Sequence, residues 1–126
     1  IKKTGKKMYK GKTQLTRIWK IKSQDVEKMK ENANAHSNWM KETHHKTGDK
    51  TLHFLNWAME YETNDGKKTG NIIFVLTEVY ETESGVDDHI KQAQDSNFSF
   101  IPHPEVLGNA ESSVFCDRGK ILNSLW

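Results

Sequence analysis

Four segments of the chain have the hydrophobic pattern of β-strands. Residues 13–22 alternate apolar and polar side chains, and residues 110–117 suit a shorter strand. Residues 52–62 and 71–81 carry large apolar side chains at both odd and even positions. Because neighbouring residues of a strand point to opposite faces of the sheet, we expect both faces of these two strands to be covered.

Two further segments have the three-and-four residue spacing of amphipathic helices. The first is predicted to be capped by Ser23 and to run to about His45. Its apolar stripe consists of Val26, Met29, Ala33, His36 and Met40. The second is predicted to begin with a capping box at Ser84 and Asp87 and to end near Ser96.

Glycine, proline and small polar residues mark the connections between these elements. The segment 63–70 is typical of a turn with Asp65-Gly66 at its corner, so the strands on either side are predicted to form an antiparallel hairpin. The segment 97–109 contains both prolines. It predicts an irregular connection with one helical turn that begins at Pro104.

The element order β-α-β-β-α-β predicts a ferredoxin-like α+β fold. Right-handed crossovers place both helices on one face of a four-stranded antiparallel sheet. The other face would be open, although the strands at 52–62 and 71–81 are apolar there as well. Burying some eight large side chains at ~1.5–3 kcal/mol each favours a second subunit over water. The sequence therefore predicts a homodimer that associates through the sheet face.

The excess of positive charge in the chain is concentrated in its first twelve residues. Residues 1–12 have six lysines and no acidic residue, whereas the remaining residues have 13 basic and 17 acidic side chains. We expect a flexible basic arm at 1–12 and a single domain at 13–126. A nucleic-acid partner is not expected, because no basic groove pattern follows the arm.

Composition also bears on the compartment. No apolar run approaches the ~18 residues of a membrane span, so no membrane partner is predicted. The single cysteine, Cys116, cannot form an internal disulfide, and no leader pattern opens the chain. These features favour a reducing compartment, the cytoplasm, with Cys116 as a buried and unreactive thiol. The apolar residues at 121–126 are expected to dock against the domain.

Two histidines on the predicted helices are the first candidates for chemistry. His36 lies inside the apolar stripe of the first helix, and His89 lies at the edge of the stripe of the second. Either each is satisfied by a hydrogen bond in the core, or the two converge on an apolar cavity between helices and sheet. A histidine in such a cavity can take up and return a proton near neutral pH.

Polar residues on the second and third strands are the other candidates. Asn56 and Tyr80 are candidate hydrogen-bond donors, whereas Glu60 and Glu78 are equally compatible with positions in water at the strand ends. Trp57 is expected to anchor the core or an interface. The sequence has no helical His-x-x-x-His pair, no paired cysteines and no glycine-rich phosphate loop, so neither a metal nor a cofactor is predicted.

The stretch from Phe74 to His89 resembles small dimeric α/β-barrel proteins of the antibiotic biosynthesis monooxygenase type. In that family a third strand ending in Glu-x-Tyr is followed by an acidic turn and by a helix with a histidine about one and a half turns from its start. Glu78, Tyr80 and His89 fall on those positions. The element order over residues 13–117 resembles the family as well.

The resemblance implies a cofactor-independent monooxygenase that acts on an aromatic or quinol-type small molecule. His89 would act as the base or proton carrier. The donors to the developing anion would be His36, Asn56 and Tyr80. Two alternatives stay open: a non-catalytic barrel that binds a small molecule or haem, and a structural dimer without a ligand.

Overall fold

The described part of the chain, residues 7–126 of a computed structural model, is an α+β fold with four strands and three helices. The strands are β1 (Thr13–Lys22), β2 (Leu52–Asn64), β3 (Lys67–Tyr80) and β4 (Ser112–Lys120), and the helices are α1 (Val26–Thr43), α2 (Glu83–Asp95) and α3 (Pro104–Gly108). The predicted α+β class is confirmed. None of these three helices is long and apolar enough to cross a membrane.

The four strands form one antiparallel sheet in the order β2-β3-β1-β4. This arrangement is compatible with the predicted ferredoxin-like fold. The β2-β3 hairpin turns at Asp65 and Gly66, whose φ angles of 52° and 77° suit the twist of paired strands. The predicted corner is confirmed, but the predicted turn at 63–70 is too long. A two-residue turn lets the pairing continue up to Asn64 and Lys67.

Both long helices begin differently from the prediction. Ser23 lies in a short 3₁₀ turn, and α1 starts after Asp25 without a side-chain cap. The cap of α2 is Thr82, whose Oγ1 accepts a hydrogen bond from the Ser84 amide at 3.2 Å. Thr82 takes the role predicted for Ser84 because its backbone is extended, as a capping residue requires, whereas Ser84 is already helical.

The helices cover one face of the sheet, and the strand register decides which side chains meet them. The buried residues of β3 on this covered face are Ile72, Phe74, Leu76, Glu78 and Tyr80. Trp57 of β2 pairs with Leu76 and therefore lies on the covered face. Its neighbour Asn56 pairs with Thr77 on the opposite face. The core between sheet and helices is therefore built on alternate residues of each strand.

The opposite face, which we call the uncovered face, carries a row of apolar side chains across all four strands. Val114 pairs with Ile18, Ile18 pairs with Val75, and Val75 pairs with Ala58. Ile18 and Val75 are half-buried, and Val114 is 57% exposed. This is the surface on which the sequence predicts a second subunit.

The two ends of the described chain lie side by side. The Gly11 amide donates to the Ile121 carbonyl at 2.8 Å, and the Ile121 amide donates to the Lys12 carbonyl at 2.9 Å. These bonds hold Gly11 and Lys12 of the predicted arm, while residues 1–6 lie outside the described residues. The prediction that the C-terminal apolar side chains dock is wrong for the three that are 75–79% exposed, Leu122, Leu125 and Trp126.

Cys116 is exposed, so the prediction of a buried thiol is wrong. Cys116 lies on β4, a strand at the edge of the sheet, and pairs with Thr16 of β1. Its side chain projects from the uncovered face, where no helix shields it.

Candidate functional site

Two buried histidines come together where α1 and α2 face the sheet. His36 of α1 is 6% exposed and His89 of α2 is 8% exposed, and their ring centroids lie 6.2 Å apart. Each ring points inward because its residue shares the buried stripe of its helix, with Met40 on α1 and with Val86 and Ala93 on α2. The fold thus brings together the two histidines that the sequence singles out.

A chain of hydrogen bonds fixes the proton positions on His89 and its neighbour His44. The Thr43 hydroxyl donates its one proton to the Trp39 carbonyl at 2.6 Å. Thr43 Oγ1 can therefore only accept from His44 Nδ1, at 2.9 Å. The neutral His44 ring then has no proton on Nε2. This nitrogen accepts a hydrogen bond from the N–H at His89 Nδ1, also at 2.9 Å. It follows that His89 Nε2 carries the lone pair of that ring.

His36 has the opposite tautomer. The Trp57 indole nitrogen lies 3.3 Å from His36 Nδ1, and an indole N–H can only donate. The neutral His36 ring therefore carries its proton on Nε2, which lies 3.5 Å from Glu78 Oε2. Trp57 reaches this ring because the register of β2 places it on the covered face.

Glu78 is a fully buried carboxylate beneath the two histidines. Its Oε1 accepts a hydrogen bond from the Tyr80 hydroxyl at 2.5 Å, whereas its Oε2 has no partner among the described residues. Burial raises the pKa of Glu78 to about 7, against the opposing effects of the Tyr80 hydrogen bond and the Arg17 charge. The alternative that Glu78 lies in water is wrong, because β3 remains covered through Tyr80.

The three buried histidines are neutral at pH 7. Burial lowers the pKa of His36 and of His44 to about 4 and that of His89 to about 3. For His89, charge on His44 or His36 would lower the pKa further. A neutral imidazole offers one lone pair, so these rings act as hydrogen-bond partners and potential ligands rather than as positive charges.

An apolar cavity of about 100 Å³ adjoins the histidines. Its lining includes Trp19, Trp57, Leu76 and Phe100, with His36 and His89 among its polar groups. On its helix side, Phe100 stacks on Trp39 with 3.8 Å between ring centroids and 7° between planes. A cavity of this order approaches the size of those that hold a benzene-sized ring.

Arg17 brings a positive charge to the wall of this cavity. Its Nη2 lies 2.9 Å from Asp117 Oδ1, and its guanidinium carbon lies 4.9 Å from the centroid of the Phe115 ring. Arg17 shares the odd-numbered face of β1 with Leu15 and Trp19, which the sequence assigns to one side of the strand. Strand parity could therefore have identified it.

The other two predicted site residues do not reach the cavity as donors. Asn56 is exposed on the uncovered face, because the residue next to Trp57 on a strand points the other way. The prediction that Asn56 is a hydrogen-bond donor in this site is therefore wrong. Tyr80 is buried, but its hydroxyl proton is donated to Glu78. Tyr80 therefore orients the carboxylate and has no proton left for a ligand.

Sequence reasoning missed His44 and the burial of Glu78. Glu78 shares the even-numbered face of β3 with Phe74 and Leu76, so parity offered a signal for it. His44 follows the last residue of α1, where the helical spacing no longer predicts direction. Its contact with His89 depends on how α1 and α2 pack against each other, which the sequence pattern does not encode.

Three donor atoms of this site also converge closely enough to share a ligand. One atom each from His36, Glu78 and His89 lies within 4.8 Å of the other two. The three residues come from α1, β3 and α2, so no short spacing along the chain reveals the group. For this reason the search of the sequence for metal motifs could not detect it.

Comparisons of this chain with protein-family models, with curated proteins and with solved structures give no match. The function is therefore argued from the geometry of the site.

Proposed function

We propose that the protein is an oxygenase of small aromatic or quinol-type molecules, of the antibiotic biosynthesis monooxygenase type. The observation that carries the proposal is the apolar cavity bounded by His36 and His89, with the unpartnered carboxylate oxygen of Glu78 behind them. The walls suit a flat apolar ring, and the two imidazoles suit a hydroxyl group on that ring.

His89 relays the hydroxyl proton of the bound substrate to Glu78 and does not hold it, because burial lowers the pKa of His89 to about 3. Its Nδ1 is engaged by His44, so Nε2 is the ring nitrogen that can receive a hydrogen bond from a phenol. A carboxylate oxygen of Glu78 lies within 4.8 Å of the His89 donor atom, so the proton has a short path from ring to carboxylate. These groups together convert the bound phenol into its anion.

The phenolate then supplies electrons to dioxygen. Transfer of one electron gives a phenoxyl radical and superoxide, which combine at a ring carbon, and the peroxide takes back the proton. Loss of water from this hydroperoxide leaves a quinone. One oxygen atom of dioxygen enters the product and the other enters water, so the substrate itself is the reductant.

Positive and hydrogen-bonding groups at the cavity wall stabilise the anion. Arg17 lies at the cavity wall, where its guanidinium also pairs with Asp117, and the neutral His36 ring carries on Nε2 a proton that it can donate to the anion. The aromatic and aliphatic walls lower the local dielectric constant, which strengthens both interactions. His36 therefore keeps the donor role that the sequence assigns to it, and Arg17 takes the part that the sequence assigns to Asn56 and Tyr80.

Oxygen uptake by metal-free protein with mono- and dihydroxylated aromatics tests the proposal. We expect one molecule of dioxygen consumed per quinone formed. Glu78→Gln and His89→Ala should lower kcat/KM by about 10²–10⁴, the usual contribution of a positioned proton acceptor. The matched control is His53→Ala, since His53 pairs with Glu81 at 2.7 Å outside the cavity.

Uptake that survives in both cavity variants would contradict the proposed roles, and absence of uptake across the whole panel would reject the oxygenase. A haem titration then separates the two remaining alternatives. A shifted haem absorption band that His89→Ala abolishes favours the haem-binding barrel, and no shift favours the structural dimer. The cavity of about 100 Å³ is small for a haem.

We also propose that two copies associate through the uncovered face as a dimeric α/β barrel. The support is the apolar row that runs from Val114 through Ile18 and Val75 to Ala58. A contiguous apolar row of this kind is typical of an association surface. The same arrangement would give the ferredoxin-like sheet a covered second face.

A further inference from the structure

We propose that His36, Glu78 and His89 form a binding site for one divalent first-row transition-metal ion, with its remaining coordination positions open towards the cavity. Donor atoms that share a Zn²⁺ or Fe²⁺ ion at about 2.0–2.2 Å lie about 3–3.5 Å from one another. His36 Nε2 and Glu78 Oε2 are already 3.5 Å apart, and all three donors lie within 4.8 Å. To complete the set, side-chain rotation must bring the third donor atom to the same distance from the other two.

The unpartnered oxygen of Glu78 points to a cation. Among residues 7–126, Oε2 is fully buried and has no hydrogen-bond partner. The positive charge of Arg17 is already paired with Asp117 at 2.9 Å. A buried carboxylate without a counter-charge is costly when ionised, and a bound metal ion removes that cost.

The hydrogen bond of His89 to His44 is of the kind that usually orients a metal-binding histidine. A metal-bound imidazole typically donates its other ring N–H to a fixed acceptor, which sets the tautomer and the ring orientation. His89 donates from Nδ1 to His44, and His44 is fixed in turn by Thr43. The lone pair on His89 Nε2 is therefore available before any metal arrives.

His36 must exchange its tautomer to bind the ion. Its Nε2 now carries the proton, because Nδ1 accepts from the Trp57 indole. Metal binding moves that proton to Nδ1, and Trp57 then loses its acceptor. The hydrogen bond that is lost is long, at 3.3 Å, so its loss costs little free energy when the metal binds. The exchange also provides a signature, since the Trp57 indole N–H must change its environment when the metal binds.

Two imidazoles and one carboxylate define the class of ion. This donor set suits Fe²⁺, Co²⁺ and Zn²⁺ and leaves positions open for water or a small ligand. The inference does not rest on the proposed oxygenase, because metal affinity is measured without substrate. The proposed proton path uses the same atoms, so redox-inert Zn²⁺ should inhibit oxygen uptake if both proposals hold. Failure of the metal site is seen in the metal affinity, and failure of the oxygenase is seen in the oxygen uptake.

Calorimetric titration of the chelator-treated, untagged protein with ZnCl₂ tests the site, with Co²⁺ absorption as a second readout of the ligand set. We expect one equivalent of Zn²⁺ bound by the wild type. Binding should be at least ~100-fold weaker in Glu78→Gln and His89→Ala, since loss of a ligand costs more than the 10–100-fold of an outer-shell change. Glu78→Gln is nearly isosteric and keeps an acceptor for Tyr80, so it covers the case in which His89→Ala fails to fold.

Two surface histidines serve as matched controls, because each already sits beside a carboxylate and could hold an adventitious ion. His53 lies 2.7 Å from Glu81, and His103 lies 2.8 Å from Glu31. Zn²⁺ affinity should be unchanged in His53→Ala and His103→Ala, and the Trp57 indole signal should shift on titration. Wild-type affinity in Glu78→Gln, an unmoved Trp57 signal, or no binding by the wild type would overturn the proposal.

Discussion

Glu78 sits among apolar side chains and neutral imidazoles, with one oxygen bonded to Tyr80 and the other unpartnered among the described residues. A carboxylate in such surroundings resists ionisation, so its folded-state pKa lies above its value in the unfolded chain. The folded state therefore holds this proton more tightly than the unfolded state does. At the residue scale, the ionised side chain that the proposed function needs is therefore the form that lowers stability.

Glu78→Gln should make the stability of the protein depend less on pH. The stability contributed by protonated Glu78 is fully present below pH 4.5 and is lost as the pH rises through about 7. Glutamine has no proton to lose, so the variant should gain roughly 3 kcal/mol on the wild type between pH 4.5 and pH 8. Urea unfolding of metal-free protein at both values measures this difference. A difference that is constant with pH would contradict the assignment.

The sequence could predict only part of the site at this scale. His36 and His89 follow from helical stripes, because a polar residue among apolar ones at that spacing must point inward. Arg17 and Glu78 were also readable from strand parity once the covered face was known. His44 was not readable, since its partner is 45 residues away and the contact depends on how two helices pack.

At the scale of elements, a glycine sets how closely α2 approaches β3. A Cβ atom on Gly85 would lie 2.6 Å from Tyr80 Cδ1 and 3.1 Å from the Lys50 carbonyl. Gly85 is in the first turn of α2, one turn before His89. The absence of a side chain there lets α2 bring His89 down to His44 and Tyr80.

Gly85→Ala should destabilise the protein although alanine favours helices. We expect a loss of about 1–3 kcal/mol, the usual cost of forcing an extra carbon into a packed contact. Gly108→Ala is the matched control, because a Cβ on Gly108 of α3 has nothing within 4 Å and the change should be neutral or slightly stabilising. Urea unfolding of both variants measures the difference. Equal stabilities would show that α2 can shift without cost.

The elements themselves were largely predictable, and their edges were not. Strand β1 follows its alternation from residue 13 to 22, and the short α3 follows from Pro104. The hairpin was mispredicted only where Asn64 and Lys67 continue to pair beyond the apolar run. Pairing between strands can continue through polar residues, because backbone hydrogen bonds do not depend on side-chain polarity.

At the scale of the whole molecule, the two faces of the sheet differ in what covers them. One is sealed by α1 and α2, whereas Ile18 and Val75 lie half-buried at the centre of the uncovered face. The sequence predicted apolar residues on both faces but could not say which face the helices take. That choice depends on strand register, since a shift by one residue exchanges the two faces.

Val75→Lys should separate the proposed dimer without unfolding the subunit. A lysine at the centre of an apolar interface leaves an unpaired charge there, but in a single subunit it reaches water. Sedimentation should give about twice 14.6 kDa for the wild type and for the control Asn38→Lys, whose site on α1 is exposed. The Val75→Lys variant should sediment as one subunit with an unchanged circular dichroism spectrum. A wild type that sediments as one subunit contradicts the dimer.

The hydrogen-bond network around His89 is the claim on which the site depends. Long-range ¹H–¹⁵N spectra of the histidine rings in metal-free protein test it most directly. The account predicts that between pH 6 and pH 8 His44 and His89 are neutral with the proton on Nδ1, while His36 is neutral with the proton on Nε2. A charged ring at pH 7, or a proton on Nε2 of His89, would contradict it.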